Sequence, residues 1–295
     1  MIIRKMQKSF FLILFFSFLV TGCQSKESLP EFSEPIEIVD NRPFVEVKIK
    51  DKTFHFVIDT GGFNSIEKEV AEELNLTLNN KFQMPGAGEK TVDAWSTTID
   101  SFSIGEHKFA NRKFYVLPLK EIKESLKLPY LDGIIGYDFF GQMVLQLDYP
   151  NKKVSFLNNF TGKNGVPFSI FGSHIPKITV EIDGIKSEFV IDTGDRSNLT
   201  LAQTFSTEVF AKNQYVLSES KITGYGLGGP IYAQTFELNS LKFGAAEAKK
   251  IITRIPTLKS GVFTQSGFYG SIGSGLLKNY KVTFDYQNKL FFVEL

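Results

Sequence analysis

An all-β fold, mainly antiparallel with a few short helices and built as two tandem lobes, is what this sequence predicts. Three observations carry the prediction. Thirty Phe residues and many β-branched side chains suit pleated, half-buried surfaces better than helices. Short runs of apolar–polar alternation recur between turn residues. The string Ile58-Asp59-Thr60-Gly61 returns as Ile191-Asp192-Thr193-Gly194, 133 residues later, and similar sequence surrounds both copies.

A length of 295 residues allows one large domain or two of ordinary size, and 42% hydrophobic with 22% charged content is that of a globular chain. The net charge of +1 and the absence of a basic block beyond the N-terminus exclude nucleic acid as an expected partner. His55, His107 and His174 are scattered without ligand spacing, so no metal is expected, and the resemblance reached below implies no organic cofactor.

The first 22 residues read as an export signal. Arg4, Lys5 and Lys8 form a positive region, and Phe10 to Val20 is an apolar stretch too short to span a membrane comfortably. Val20-Thr21-Gly22-Cys23 then resembles the lipobox of bacterial lipoproteins, in which the signal is cut before the cysteine and lipid is attached to its sulfur. Cys23 is the only cysteine, so it forms no disulfide within the chain. The expectation is a lipoprotein anchored in the bacterial cell envelope, at the outer membrane or cell surface if the cell is Gram-negative. Residues 23–36, polar with two prolines, read as a tether.

The first lobe is expected over residues 37–160. Phe44 to Ile49 alternates as a half-buried strand, Asp51-Lys52 turns, and Thr53 to Ile58 returns to deliver Asp59. A helix is expected next, capped by Asn64 with Glu67 completing a capping box, and with Ile66, Val70 and Leu74 on one face. Gly86-Ala87-Gly88 reads as the tip of a hairpin, and Leu131 to Gly136 precedes a short helix.

The second lobe, residues 161–295, repeats the plan. Ile178 to Ile182 alternates, Asp183-Gly184 turns, and Lys186 to Ile191 leads to Asp192. A weaker helix is expected over Leu201 to Phe210, then a glycine-rich hairpin at Gly224-Tyr225-Gly226. Leu147-Asp148-Tyr149 and Phe284-Asp285-Tyr286 close the two units alike.

An apolar strand ending in Asp-Thr-Gly, a glycine-tipped hairpin, then apolar-apolar-Gly and a short helix resembles the pepsin/retropepsin aspartic protease superfamily over roughly residues 37–295. The resemblance implies two fused retropepsin-like lobes in a pepsin-like bilobal arrangement. It implies Asp59 and Asp192 as a catalytic pair that activates water to hydrolyse a peptide bond. Thr60 and Thr193 would lock the two loops together, while Gly61 and Gly194 let backbone approach the carboxylates. Gly86, Ala87 and Gly88, or Gly224, Tyr225 and Gly226, would form the flap, the first being favoured because pepsin uses its N-terminal hairpin. A polypeptide in the cleft between lobes is the implied partner, and fused lobes remove the need for an oligomer.

Two departures stand against the family pattern. The residue after each Gly is usually Ser or Thr; here it is Gly62 or Asp195. A third carboxylate at Asp195 would raise the pKa of a dyad unless Arg196 neutralised it or the side chain turned outward. Ser271 also replaces the first apolar residue of the apolar-apolar-Gly element. Trp95, Tyr225 or Tyr232 could supply a flap aromatic. The alternative reading is a peptide-binding or scaffolding lipoprotein that kept the fold and lost the chemistry. A dinucleotide loop at Gly224–Gly229 lacks any βαβ context, and no nucleophile elbow is present.

Overall fold

The computed structural model describes residues 30–295. It opens with two short strands, Phe32–Pro35 (β1) and Glu37–Val39 (β2). The expected tether over 23–36 is therefore corrected at its C-terminal end. Phe32 stacks on His107 and Phe156, and β1 pairs antiparallel with Lys153–Leu157, so one aromatic anchor and an open sheet edge order this polar stretch. Cys23, the signal segment and the start of the tether lie outside the described residues. Among the described residues no helix is long and apolar enough to cross a membrane.

In the first lobe Arg42–Ile49 (β3) and Lys52–Ile58 (β4) form the expected hairpin, with every second residue along β3's second half buried. The expected capping box does not form. Ser65–Glu67 is a strand (β5), and the helix is shorter, Lys68–Glu73 (α1), with Glu67 at its N-cap. The carboxamide of Asn64 is engaged elsewhere, accepting the Gly136 amide at 3.0 Å. Val70 and Leu74 still face the core.

Asn79–Met84 (β6) and Val92–Ile104 (β7) make the glycine-tipped hairpin, and His107–Leu117 (β8) returns through Gly105 at φ +56°. A short helix, Lys120–Ser125 (α2), leads to Gly133–Ile135 (β9) and the helix Tyr137–Phe140 (α3). Strand β9 lies between β4 and β5, parallel to β4 in the register Ile58↔Ile135. Its Ile135 carbonyl accepts the Asp59 amide at 3.0 Å, which holds the loop after β4 at the end of the sheet. Val144–Asp148 (β10) and Lys153–Leu157 (β11) complete the unit.

The second lobe repeats this plan. Val166–Phe171 (β12), Ile175–Ile182 (β13) and Ile185–Asp192 (β14) lead to Leu199–Leu201 (β15). The helix Gln203–Lys212 (α4) starts after the expected Leu201, because Leu199–Leu201 is taken up by the sheet. Then follow Lys221–Gly226 (β16), Gly229–Phe243 (β17) and Ala246–Pro256 (β18). Gly270–Gly273 (β19), parallel to β14, precedes the helix Ser274–Leu277 (α5). Lys281–Asp285 (β20) and Leu290–Glu294 (β21) close the chain.

Among the described residues one sheet of eight strands belongs to the first lobe and a second of thirteen crosses between lobes, beginning β1-β11-β10-β20-β21-β12. The division at residue 160 separates the repeats in sequence, whereas the hydrogen-bonded sheet runs across it. At its centre Gln146 pairs with Thr283, its own counterpart 137 residues on, and donates to the Thr283 hydroxyl at 3.0 Å. A pseudo-two-fold axis therefore passes between these residues. Phe56, Phe114 and Phe140 in one lobe and Phe189, Phe243 and Phe291 in the other are fully buried. Each such ring stabilises the fold by about 1.5–3 kcal/mol.

Candidate active site

The same axis brings the two Asp-Thr-Gly loops face to face. Their contacts are reciprocal. The Thr60 hydroxyl donates to Ile191 O at 2.8 Å and accepts the Thr193 amide at 3.1 Å; the Thr193 hydroxyl donates to Ile58 O at 2.7 Å and accepts the Thr60 amide at 3.0 Å. Both threonines are fully buried. Beyond them the Asp59 and Asp192 carboxyl groups lie close enough for each to act on the other's charge. Each glycine lies against the opposite lobe's aspartate: a Cβ on Gly61 would stand less than 3.0 Å from the Asp192 carboxylate, and one on Gly194 equally close to that of Asp59. Gly62 is confined in the same way by Asp59 Oδ2, so a glycine after this Asp-Thr-Gly is a packing demand.

Burial pushes both carboxyls up. Asp192 rises well above the ordinary carboxylate range, first through burial and then through the negative charge of Asp59 and Asp195. Asp59 is raised less firmly, because the Gly61 amide, Asp192, His174 and Arg42 all favour its charged form. The two carboxyls therefore titrate as a pair, and the stronger upward push falls on Asp192.

Asp195 does not turn outward, and Arg196 does not neutralise it. Arg196 pairs with Asp40 instead. The partner is Arg254, from β18, whose Nη2 donates to both Asp195 oxygens at 3.0 and 2.9 Å. Burial opposes the charge on Asp195, yet Arg254, the Ser197 amide and hydroxyl, and Arg42 together hold its pKa below the ordinary value. Ser271 donates to Asp195 Oδ2 at 3.4 Å, so the two departures of the second repeat belong to one network.

Two further side chains brace the loops, and sequence reasoning missed both. Arg42 Nε donates to Gly194 O at 2.6 Å, and His174 Nε2 donates to Gly61 O at 2.9 Å. Each reaches from its own lobe to the other's glycine carbonyl. Burial lowers the Arg42 pKa, but a guanidinium stays charged at any working pH. Their signal in the sequence was positional: each stands at or just before the first alternating strand of its repeat.

Over this floor lies a cavity of about 550 Å³, lined mostly by apolar side chains. Its roof is made by both hairpins, which corrects the preference for the first. Gly88 N donates to Leu227 O at 2.8 Å and Lys90 N to Gly228 O at 3.1 Å, so the two tips meet. The segment after β18 closes on the same spot, with Val262 N donating to Gly86 O at 3.3 Å and Lys259 N to Glu89 Oε1 at 2.6 Å. Gly86, Ala87, Gly224, Tyr225 and Gly226 all line the cavity. Of the aromatic candidates only Tyr225 does; Trp95 sits beneath the Lys68 and Lys81 ammonium groups, and Tyr232 is exposed. Among the described residues no three His, Cys, Asp or Glu side chains cluster as a metal site requires.

Two β lobes that meet through paired Asp-Thr-Gly loops beneath glycine-tipped hairpins define the architecture of an aspartyl protease. Residues 45–139, from β3 through the Asp59 loop and first hairpin into α3, match the family model described as Aspartyl protease. Through this segment the chain is similar to the pepsin/retropepsin-like aspartyl proteases. The match stops before Asp192, which joins the family pattern through the internal duplication. No curated protein matches the chain.

Proposed function

We propose that this protein is an aspartic endopeptidase that hydrolyses peptide bonds with a water held between Asp59 and Asp192. The observation that carries this reading is the apposition of the two aspartates, one from each lobe, across the reciprocal threonine lock in a buried site roofed by two hairpins. In the reaction Asp59, ionised, takes a proton from the water as its oxygen attacks the peptide carbonyl carbon. Asp192 gives its proton to the carbonyl oxygen, and a tetrahedral diol forms. Collapse of the diol breaks the C–N bond, the leaving nitrogen taking the proton from Asp59 while Asp192 recovers one from the diol. Atoms and charge balance without a metal or organic cofactor. The test is cleavage of an unfolded protein from acid to neutral pH, with inhibition by an analogue that carries a secondary alcohol in place of the scissile carbonyl. Absence of cleavage and of inhibitor binding across that range would favour a scaffolding role.

The electrostatics set the expected pH dependence. Activity requires one proton on the pair, so it is lost at high pH when Asp192 gives up its proton, and at low pH when Asp59 gains one. The charge on Asp195 helps hold the Asp192 pKa up. Asp195→Asn removes that charge and leaves Arg254 unbalanced nearby, and both changes lower the Asp192 pKa. The alkaline limb of the pH–rate profile is therefore expected to move to lower pH, with the rate at the optimum changed much less. An unmoved or alkaline-shifted limb in a pH titration of kcat/KM would count against this account.

We further propose that the enzyme works outside the cytoplasm, tethered by lipid on Cys23. The support is the lipobox-like Val20-Thr21-Gly22-Cys23 string. Buried acyl methylenes contribute about 0.8 kcal/mol each to membrane attachment. Cys23→Ser is expected to move the protein from the membrane to the soluble fraction of the producing cell, leaving the catalytic lobes active. Retention on membranes would contradict lipid anchoring.

A further inference from the structure

The two halves of the cavity are built from equivalent positions with opposite chemistry. Gly62 and Asp195 follow the two Asp-Thr-Gly strings. Tyr115 and Arg254 are equivalent, each lying in register beside the short strand after the loop, Ser65↔Tyr115 and Thr200↔Arg254. Ile134 and Ser271 are equivalent too, paired with Val57 and Val190. Gly62, Ile134, Asp195, Arg254 and Ser271 line the cavity, whereas Tyr115 does not. The first lobe thus presents Gly62 and Ile134 to the cavity with no cation beside them, where the second presents Asp195, Arg254 and Ser271.

This second trio is one network with one opening. Asp195 is saturated: Arg254, the Ser197 amide and hydroxyl, and Ser271 occupy its oxygens. Arg254 is 5% exposed and uses Nε on the Thr200 hydroxyl at 2.9 Å and Nη2 on Asp195. Its Nη1 has no acceptor among the described residues. That nitrogen stands against Gly224, where a Cβ would come within 3.3 Å, and the guanidinium lies over the Phe263 ring at 5.5 Å. Gly224 and Phe263 both line the cavity. This edge is reached from the cavity, and an oxygen brought by the ligand gives it a charge-assisted hydrogen bond.

We infer that Arg254 Nη1 is the recognition group of the second-lobe half of the cleft, selecting a substrate side chain with an sp² oxygen acceptor, a carboxamide or a carboxylate. The first-lobe half, walled by Val57, Leu117, Leu131 and Ile134, takes an apolar side chain. The preferred scissile bond therefore joins an apolar residue to one of the Gln/Asn or Glu/Asp type. This rests on the protease reading for its orientation at a scissile bond, although the recognition itself requires no cleavage.

The experiment uses two peptide libraries varied at the two residues flanking a central bond. In one the bond is an ordinary amide and cleavage is read; in the other it is a reduced methylene-amine and binding is read. The parent is compared with Asp195→Gly/Arg254→Leu/Ser271→Ile, which replaces the polar network by apolar side chains and leaves no lone buried charge, and circular dichroism verifies that the triple variant folds. A hydrogen bond to a charged donor implies that the parent favours Gln or Glu over Leu at one flank by about tenfold or more. The triple variant is expected to lose this preference and favour Leu there, keeping the apolar preference at the other flank. The Gln and Glu arms separate carboxamide from carboxylate. Cleavage by the parent with no acceptor preference overturns the subsite and spares the protease reading. Acceptor-selective binding of the reduced library without cleavage of the other does the reverse. If the triple variant cannot fold, Arg254→Lys is read instead: a lysine keeps the charge but lacks the fork, and an unchanged Gln/Leu ratio in binding overturns the proposal.

Discussion

Asp59→Asn and Asp192→Asn, made separately, are each expected to reduce cleavage of an unfolded protein by about two to four orders of magnitude, the usual range for loss of a general acid or base. An amide at either position removes the group that takes the proton from water or the one that gives it to the carbonyl. The fold should survive. The Gly61 amide donates to Asp59 Oδ1 at 2.7 Å and the Gly194 amide to Asp192 Oδ1 at 2.9 Å, and an asparagine oxygen accepts both bonds equally well. Each substitution also removes a carboxyl that burial and its neighbour force upward in pKa, so thermal stability should hold or rise. Lost activity with an unchanged or higher melting temperature is the expected pair of results. Cleavage at parental rates by both variants would exclude the dyad.

The second large effect concerns the threonine lock. Thr193→Val deprives Ile58 O of its donor and the Thr60 amide of its acceptor, and Thr60→Val does the same to Ile191 O and the Thr193 amide. These groups are buried, and an unsatisfied buried polar group costs about 1–3 kcal/mol, so either variant should lose about 2–6 kcal/mol of stability. The double variant should lose less than the sum, since both hydroxyls belong to one network. Thr→Ser restores the hydroxyl and should recover most of the loss. Denaturant unfolding reads these differences, and a valine variant as stable as the parent would show that the lock contributes nothing. Under the proposed mechanism activity should fall too, because the lock holds the two loops that carry Asp59 and Asp192 together.

How much of this was legible beforehand differs by element. Asp59, Asp192, Thr60, Thr193, Gly61 and Gly194 could be read because a repeated string is a one-dimensional signal, and the structure brings all six together. The strands of the hairpins could be read because alternation repeats every second residue. Asn64 reads as a helix cap yet is none, because a side chain that caps a helix and one that accepts an amide from a distant strand look the same in sequence. Phe32 was placed in a tether because its partners, His107 and Phe156, are far away along the chain.

The sequence by itself determined the duplication, the all-β character and the identity of the paired aspartates, because each is written in local pattern or in the likeness of one half to the other. Only the tertiary structure decided which cation answers Asp195. Arg196, its neighbour in the chain, turns to Asp40, while Arg254 reaches it from 59 residues away across the sheet. Likewise only the structure decided that both hairpins roof the cleft, and that Arg42 and His174 brace the opposite loops. A buried charge selects its partner by distance and desolvation, and neither follows chain order.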